Sequence, residues 1–357
     1  ENLEFPLYIK YINTGICIIL LIIGIVGNIL VPTIVILNKE LRNSTNYFLV
    51  NLSVADLLIM IICMPTVLTE LHSLPEVWIL GKVMCKLVPF TEMMVAHGSI
   101  LTILAITFER YYAICRPLMA GYTCTKMRAM AIIVVIWILA ISITCPMLFI
   151  TEYEHTTYID GTEVPVCITD MQNVWQKIYF FGVTTFLFFI PLIVLIVIYG
   201  IIAKRLVESQ RVLASPVADS QIKARKQVIF MLAAVVLCFF LCLMPFRIFT
   251  IWLLVAPEHQ LKELGMESYY NLLYFCRIML YINSAVNPIL YNVISSRFRD
   301  AFIRLFSCKN DKSLKRQFTL TSYTTFTMYG SLKTKQKICL SLNGITHLEN
   351  KKDETFV

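Results

Sequence analysis

Charged residues are scarce in this chain. Of 357 residues only 15% are Asp, Glu, Lys or Arg, against 58% that are hydrophobic, and the mean hydropathy is +0.72. A soluble globule of this length is excluded, because so little polar surface cannot cover so large an apolar volume. Metal and redox motifs are missing too: the 12 cysteines make no paired C-x-x-C and no Cys/His ligand spacing, and most sit in apolar runs where they pack as small hydrophobes. There is no nucleophile–base set and no phosphate-cradling glycine loop, so the chain reads as no enzyme. Neither internal repeats nor a charged pore stripe supports a transporter or channel. The start has no Met and no basic, apolar, small-residue succession of a signal peptide; either it is trimmed or the first span directs insertion itself.

What is present is a series of long apolar runs. Seven of them, at about 11–37, 47–71, 85–115, 129–150, 174–203, 226–255 and 268–293, reach the ~20 residues that cross a bilayer. An odd number puts the termini on opposite sides. Lys39, Arg42, Arg116, Lys126, Arg128, Lys204, Arg205, Arg211, Lys223, Arg225 and Lys226 fall in the loops after the first, third and fifth runs. The opposite loops hold Glu152, Glu154, Asp160, Glu163, Asp170, Glu258, Glu263 and Glu267. Positive loops mark the cytoplasmic side, so the N-terminus is expected outside. The net charge of +8 belongs to this topology and not to nucleic acid. Asn43-Ser44-Thr45 and Asn51-Leu52-Ser53 fit the glycosylation pattern, but one falls in a cytoplasmic loop and the other inside a span, so neither is expected to be modified.

Polar groups inside apolar spans are costly and mark function. The third run carries Glu92 early and Glu109-Arg110-Tyr111 at its far end, with Cys85 at its outer start, and reads as a connector between two aqueous faces. Asp56 in the second run must meet polar partners, for which Asn28, Ser99, Asn283, Ser284 and Asn287 are candidates: either a packing knot around a protonated Asp56 or an oxygen-ligand site for Na⁺. Pro191, Pro245 and Pro288 permit kinks in the fifth, sixth and seventh runs. In EYEHTTYIDGTEVPVCI, β-prone alternation around Asp160-Gly161 predicts an extracellular hairpin rather than an irregular loop, tied by Cys167 to Cys85. Past Tyr291, the apolar Phe298, Phe302, Ile303, Leu305 and Phe306 alternate with Arg297, Arg299 and Arg304, which predicts an amphipathic helix on the lipids of the inner membrane face. Cys308 follows, as a palmitoylation site or a free thiol. Beyond it the Lys-, Ser- and Thr-rich segment reads as disordered, with hydroxyls that can take phosphate. The expected division is an extracellular remnant at 1–10, a membrane domain at 11–308 and a cytoplasmic tail at 309–357.

Seven spans, Cys85 with Cys167, Glu109-Arg110-Tyr111, Trp137, Pro191, the Phe239…Cys242…Pro245 run and Asn287-Pro288-x-x-Tyr291 together resemble the rhodopsin-like G-protein-coupled receptors over about residues 11–308. Within them the chain is similar to the peptide receptors of the neuromedin U, ghrelin and thyrotropin-releasing-hormone group, and to the insect receptors for ecdysis-triggering hormone. The resemblance implies an all-α seven-helix membrane bundle with a short eighth helix, set in the plasma membrane. It also implies an amidated peptide ligand ending in Pro-Arg-x, a heterotrimeric G protein of the Gq class as partner, and arrestin acting through a phosphorylated tail. No cofactor is implied beyond an allosteric Na⁺ on Asp56, Asn28, Ser99, Ser284 and Asn287.

By resemblance, Glu92, Glu70, Met93, Phe246, Arg247, Arg277 and Tyr281 form the ligand site. Arg247 and Arg277 either hold ligand acceptors or pair with Glu92 and Glu70. Arg110 pairs with Glu109 at rest and faces the G protein when released, with Tyr199 and Tyr291 closing around it, while Leu118 is the apolar knob. Ile100, Pro191 and Phe239 match the family's relay. Leu243 departs from the Trp that family members often carry there, which puts a Trp-flip trigger in doubt. A biogenic-amine receptor using Glu92 as counter-ion is the alternative, but such receptors typically carry Asp there, and the fifth span lacks their serine cluster. A retinal photoreceptor needs a Lys in the seventh span, and 268–293 has none.

Overall fold

The computed structural model of the protein describes residues 4–158, 160–169, 171–212 and 216–306. Cys308 and the segment expected to be a phosphorylated tail lie outside these residues. Among the described residues seven helices are long and apolar enough to cross a membrane: α1 (Leu7–Leu37), α2 (Ser44–Leu71), α3 (Gly81–Cys115), α5 (Lys126–Ile150), α6 (Val174–Glu208), α7 (Pro216–Val255, whose apolar part runs Arg225–Val255) and α9 (Met266–Ile294). Between them lie a short helix α4 (Pro117–Thr123), strands β1 (Thr151–Thr157) and β2 (Glu163–Thr169), and α8 (Glu258–Leu264); α10 (Ser296–Phe306) ends the described chain. The helices overrun the apolar stretches: α1 begins four residues before the expected edge and α3 at Gly81, because helical hydrogen bonding continues into the aqueous layers.

α3 is the axis, packing against α2, α5, α6 and α7 and against the hairpin. Two features were not foreseen. α2 and α6 each contain a π-turn, at Ile59–Cys63 and Thr185–Phe189, lying just before Pro65 and Pro191. A proline ring collides with the carbonyl four residues back, and one widened turn moves that carbonyl aside.

β1 and β2 pair antiparallel, with Tyr153 opposite Cys167. Gly161 takes φ 83°, as the turn requires. The Thr162 hydroxyl and backbone N–H donate to Asp160 Oδ1 at 2.6 and 2.9 Å and hold its carboxyl below the usual carboxylate range. Cys167 is disulfide-bonded to Cys85, so the hairpin is fixed over the Cys85 end of α3, and the Trp78 backbone N–H donates to Pro165 O at 2.8 Å to join the loop between α2 and α3 to it.

The core falls into two main apolar clusters. The inner one includes Val31, Phe48, Leu52, Ile100, Ile103 and Tyr291; the outer one includes Cys17, Ala55, Met60, Val95, Tyr281 and Ala285. Asn28 on α1, Ser99 on α3 and Asn287 on α9 sit in sequence between members of the two clusters, Asp56 on α2 and Ser284 on α9 lie beside the outer-cluster residues Ala55 and Ala285 nearest that boundary, and all are buried. Each polar residue therefore occupies one mid-depth layer. Close approach there is made by small residues: a Cβ on Gly27 would lie 2.9 Å from the Pro288 ring, and one on Gly24 2.6 Å from Met60.

Candidate functional site

An outward-opening cavity of about 240 Å³ lies between α3, α6, α7, α9 and the hairpin. Glu92, Met93, Phe246, Arg247, Arg277 and Tyr281 line it, so six of the seven expected ligand residues meet in one space. Glu70 does not line it: its carboxylate is ion-paired with the Arg277 guanidinium from outside the wall. Of the two expected alternatives for Arg277, holding ligand acceptors or pairing with Glu70, the structure shows the pair, with the longer Arg277 side chain reaching across to Glu70. Glu92 accepts one hydrogen bond, from Tyr281 Oη at 3.4 Å. Arg247 is 6% exposed and has no ion pair among the described residues. The cavity thus presents one carboxylate with only a neutral partner and one unpaired guanidinium, on apolar walls that include Met147, Phe180, Phe249, Leu253 and Leu273. Such groups bind a ligand carrying a cation and an acceptor.

Below it, Leu243 and Phe239 line the same cavity, which continues to Ser99, Asn283 and Ser284. Leu243, Phe239 and Ile100 pack in the inner cluster, and Phe239 stacks edge-on to Phe240, which meets Phe188 at 5.1 Å. Pro191 opens the regular part of α6 beneath its π-turn. In the polar layer Asn287 Nδ2 donates to Asp56 Oδ2 at 2.9 Å, and Asn28 Nδ2 donates to the Ser284 and Gly24 carbonyls, both at 2.9 Å. The Asn28 Oδ1 has no partner among the described residues. A carboxylate, hydroxyls and a free amide oxygen are the hard-oxygen set that suits Na⁺.

At the other end of α3 Glu109 is 8% exposed and lies 3.6 Å from Arg110 Nη2. It also accepts from the Ser44 hydroxyl and, at 3.1 Å, from Thr45 Oγ1; Arg110 donates to the same Thr45 hydroxyl. The anchor on α2 was not foreseen, since Ser44 and Thr45 read as part of a failed glycosylation site. Asn51 likewise proves structural: it donates to Thr102 at 2.9 Å and accepts from Trp137 Nε1 at 2.8 Å, tying α2, α3 and α5. A buried amide in an apolar run was the available signal. Tyr111 is not part of the ion pair; it faces Ile198, Ile202 and Ile229 on α6 and α7. Neither Tyr199, whose hydroxyl meets Thr107 at 3.5 Å, nor Tyr291, packed on Phe298, bonds to Arg110. Leu118 on α4 is 92% exposed.

Residues 27–291 match the family of 7 transmembrane receptors (rhodopsin family). The chain belongs to this family. It is a rhodopsin-family receptor, a multi-pass membrane protein and no enzyme. It is 31% identical over 366 residues to a thyrotropin-releasing hormone receptor of Bos taurus, covering 95% of this chain and 88% of that one. It is 34% identical over 324 residues to growth hormone secretagogue receptor type 1 of Mustela putorius furo, covering 87% of each. To the Homo sapiens counterpart it is 34% identical over 295 residues, covering 82% of this chain and 80% of that one.

Proposed function

We propose that this receptor sits in the plasma membrane with its N-terminus outside and binds an extracellular amidated peptide of the ecdysis-triggering-hormone type, ending in Pro-Arg-x-amide. In this reading it passes agonist binding to a heterotrimeric G protein of the Gq class, raising calcium. The observation that carries the reading is Glu92, a carboxylate on the cavity wall whose one hydrogen bond comes from a neutral hydroxyl, while the nearby guanidinium of Arg277 is occupied by Glu70. A ligand guanidinium completes Glu92 with two parallel hydrogen bonds. The hormone-receptor names of its relatives support a peptide over an amine.

An agonist shifts the bundle only by binding one arrangement better than the other. Contacts at Glu92 on α3 and at Arg247 on α7 span the two helices whose inner ends carry Arg110 and the G-protein face. We also propose Na⁺ in the layer around Asp56, held by Asp56, Asn28 and the neighbouring hydroxyls.

The test is calcium mobilisation in cells expressing the chain, challenged with amidated peptides and biogenic amines. Peptides ending in Pro-Arg-x-amide are expected to act, and responses to amines alone would overturn the reading. Glu92→Gln should lower peptide potency roughly 100-fold, because one charge of a desolvated pair is left alone. Replacing the peptide's Arg by citrulline should then cost much less in Glu92→Gln than in the native receptor. Two losses that simply add would exclude Glu92 as the partner of that Arg.

A further inference from the structure

One buried side chain beside the cavity is only half used. His97 on α3 is fully enclosed, and its Nδ1 meets Thr144 Oγ1 on α5 at 2.8 Å. The Thr144 hydroxyl has a single hydrogen, which it donates to the Ala140 carbonyl at 2.7 Å, so towards His97 it can only accept. The imidazole proton therefore sits on Nδ1, and Nε2 is a bare acceptor. Nε2 has no partner among the described residues, although buried polar atoms are ordinarily paired.

The surroundings indicate where a donor can come from. Residues three and four apart share one face of a helix. His97 lies four residues past Met93 on α3 and Thr144 three before Met147 on α5, so the pair sits one turn beneath two methionines that line the cavity. Met93 and Met147 pack in one small cluster with Met171 and Phe180. Thioether chains adopt new rotamers at little cost, which makes this wall the pliable part of the cavity. Arg247 lines the same cavity from α7, close enough for its charge to act on His97, and makes neither a hydrogen bond nor an ion pair among the described residues. An unpaired group that can only donate and an unpaired atom that can only accept thus lie on either side of the methionine wall. A primary carboxamide answers both, its carbonyl oxygen accepting from the guanidinium and its N–H donating to Nε2. A carboxylate would turn a lone pair towards Nε2, and an ammonium would be repelled by Arg247.

We propose that His97 and Arg247 form a carboxamide subsite behind Met93 and Met147, which takes the amidated end of the ligand while Glu92 holds its cationic side chain. This rests on the peptide reading given above and deepens it, adding His97 as the residue that reads the amide N–H.

Two measurements separate the subsite from the reading it rests on. In the first, membranes carrying His97→Cys are treated with iodoacetamide, a small neutral carboxamide, and alkylation of the new thiol is followed by mass spectrometry, against the parent chain for its native cysteines. The thiol should react, and adding Met147→Ala should speed the reaction about tenfold, as a gate that is seldom open becomes one that stays open. No alkylation in either background, or a rate unchanged by Met147→Ala, overturns the compartment whatever the ligand is. In the second, calcium responses are compared for one peptide ending in Pro-Arg-Leu with its terminus as amide, dimethylamide or free acid. The native receptor should prefer the amide about tenfold or more over both other forms, because without an N–H the buried Nε2 stays unpaired. His97→Asn keeps a polar atom at the place of Nδ1 and loses the one at Nε2, whereas His97→Gln carries its amide out to the place of Nε2. His97→Asn should shrink the preference to within about threefold and His97→Gln should retain it. A preference that survives His97→Asn at matched surface expression, or one that both variants lose alike, overturns the subsite and leaves the peptide reading intact. Silence to all three forms overturns the peptide reading and the carboxamide assignment with it.

Discussion

At the scale of single residues the receptor is governed by a few polar groups whose partners are countable. Glu109 is held by Ser44, Thr45 and Arg110, so it restrains Arg110 through α2 as well as through charge. Glu109→Gln keeps one acceptor oxygen and loses the charge, and basal signalling should rise about two- to tenfold. Unchanged or lower basal activity at equal surface expression would count against that restraint. For Asp56, raising NaCl with choline chloride as the ionic-strength control should weaken agonist affinity, and Asp56→Asn should remove that sensitivity; a sodium effect that persists in the variant places the ion elsewhere. Gly27 has no such chemistry, only contact: a Cβ there would press on the Pro288 ring at 2.9 Å, and a ring cannot fold away. Gly27→Val should therefore cost about 1–3 kcal/mol of stability, read as a lower melting temperature of the detergent-solubilised receptor.

At the scale of elements the inner end of α7 is fastened by an uncharged latch. Gln227 Nε2 donates to the Ile294 carbonyl at the end of α9, at 2.6 Å, and Gln227 Oε1 accepts from the Ser296 hydroxyl at the start of α10, at 3.2 Å. Outward movement of α7 must break both. Gln227→Ala should raise basal signalling, and Gln227→Glu should do so as well, because a carboxylate cannot donate to the Ile294 carbonyl. If Gln227→Glu stays at the native level while Gln227→Ala rises, the latch acts by bulk and not by that hydrogen bond. No pattern in the sequence announces Gln227, because its partners are a backbone carbonyl and a residue 69 positions away. What the sequence did carry is whatever has a period or a fixed neighbour: the seven spans, the Asp160-Gly161 turn, the amphipathic α10. Polar residues in apolar spans were legible as important, but their partners were not. For Arg277 both ligand contact and a pair with Glu70 stayed open, because pairing across the bundle depends on rotation and reach; Tyr111 was grouped with its chain neighbours, although successive residues on a helix point about 100° apart. The π-turns escaped because widening a turn leaves no mark on composition.

At the scale of the whole molecule the seven spans among the described residues put Leu7 and Phe306 on opposite sides of a bilayer. An epitope placed before Leu7 should be stained on intact cells, and one added at the C-terminus only after permeabilisation; the reverse pattern would invert the topology. The disulfide between Cys85 and Cys167 belongs to the outer side in this arrangement, where oxidation persists. Its removal should lower peptide potency and surface expression together, by releasing the hairpin that roofs the cavity.

The polar layer between the two apolar clusters has a mechanical meaning. Interlocked methyl and ring groups resist sliding, since every displacement opens gaps or drives atoms into each other. Hydrogen bonds among hydroxyls, amides and a carboxylate can exchange partners, with water or with one another, at nearly constant energy. The expected consequence is slip at mid-depth, the parts above and below the layer turning as separate blocks. Substitutions paired within one block, such as Ile100 with Phe239, should couple strongly in thermal-stability double-mutant cycles, whereas pairs taken across the plane, such as Met60 with Ile103, should add; equal coupling in both sets would mean the bundle moves as one solid.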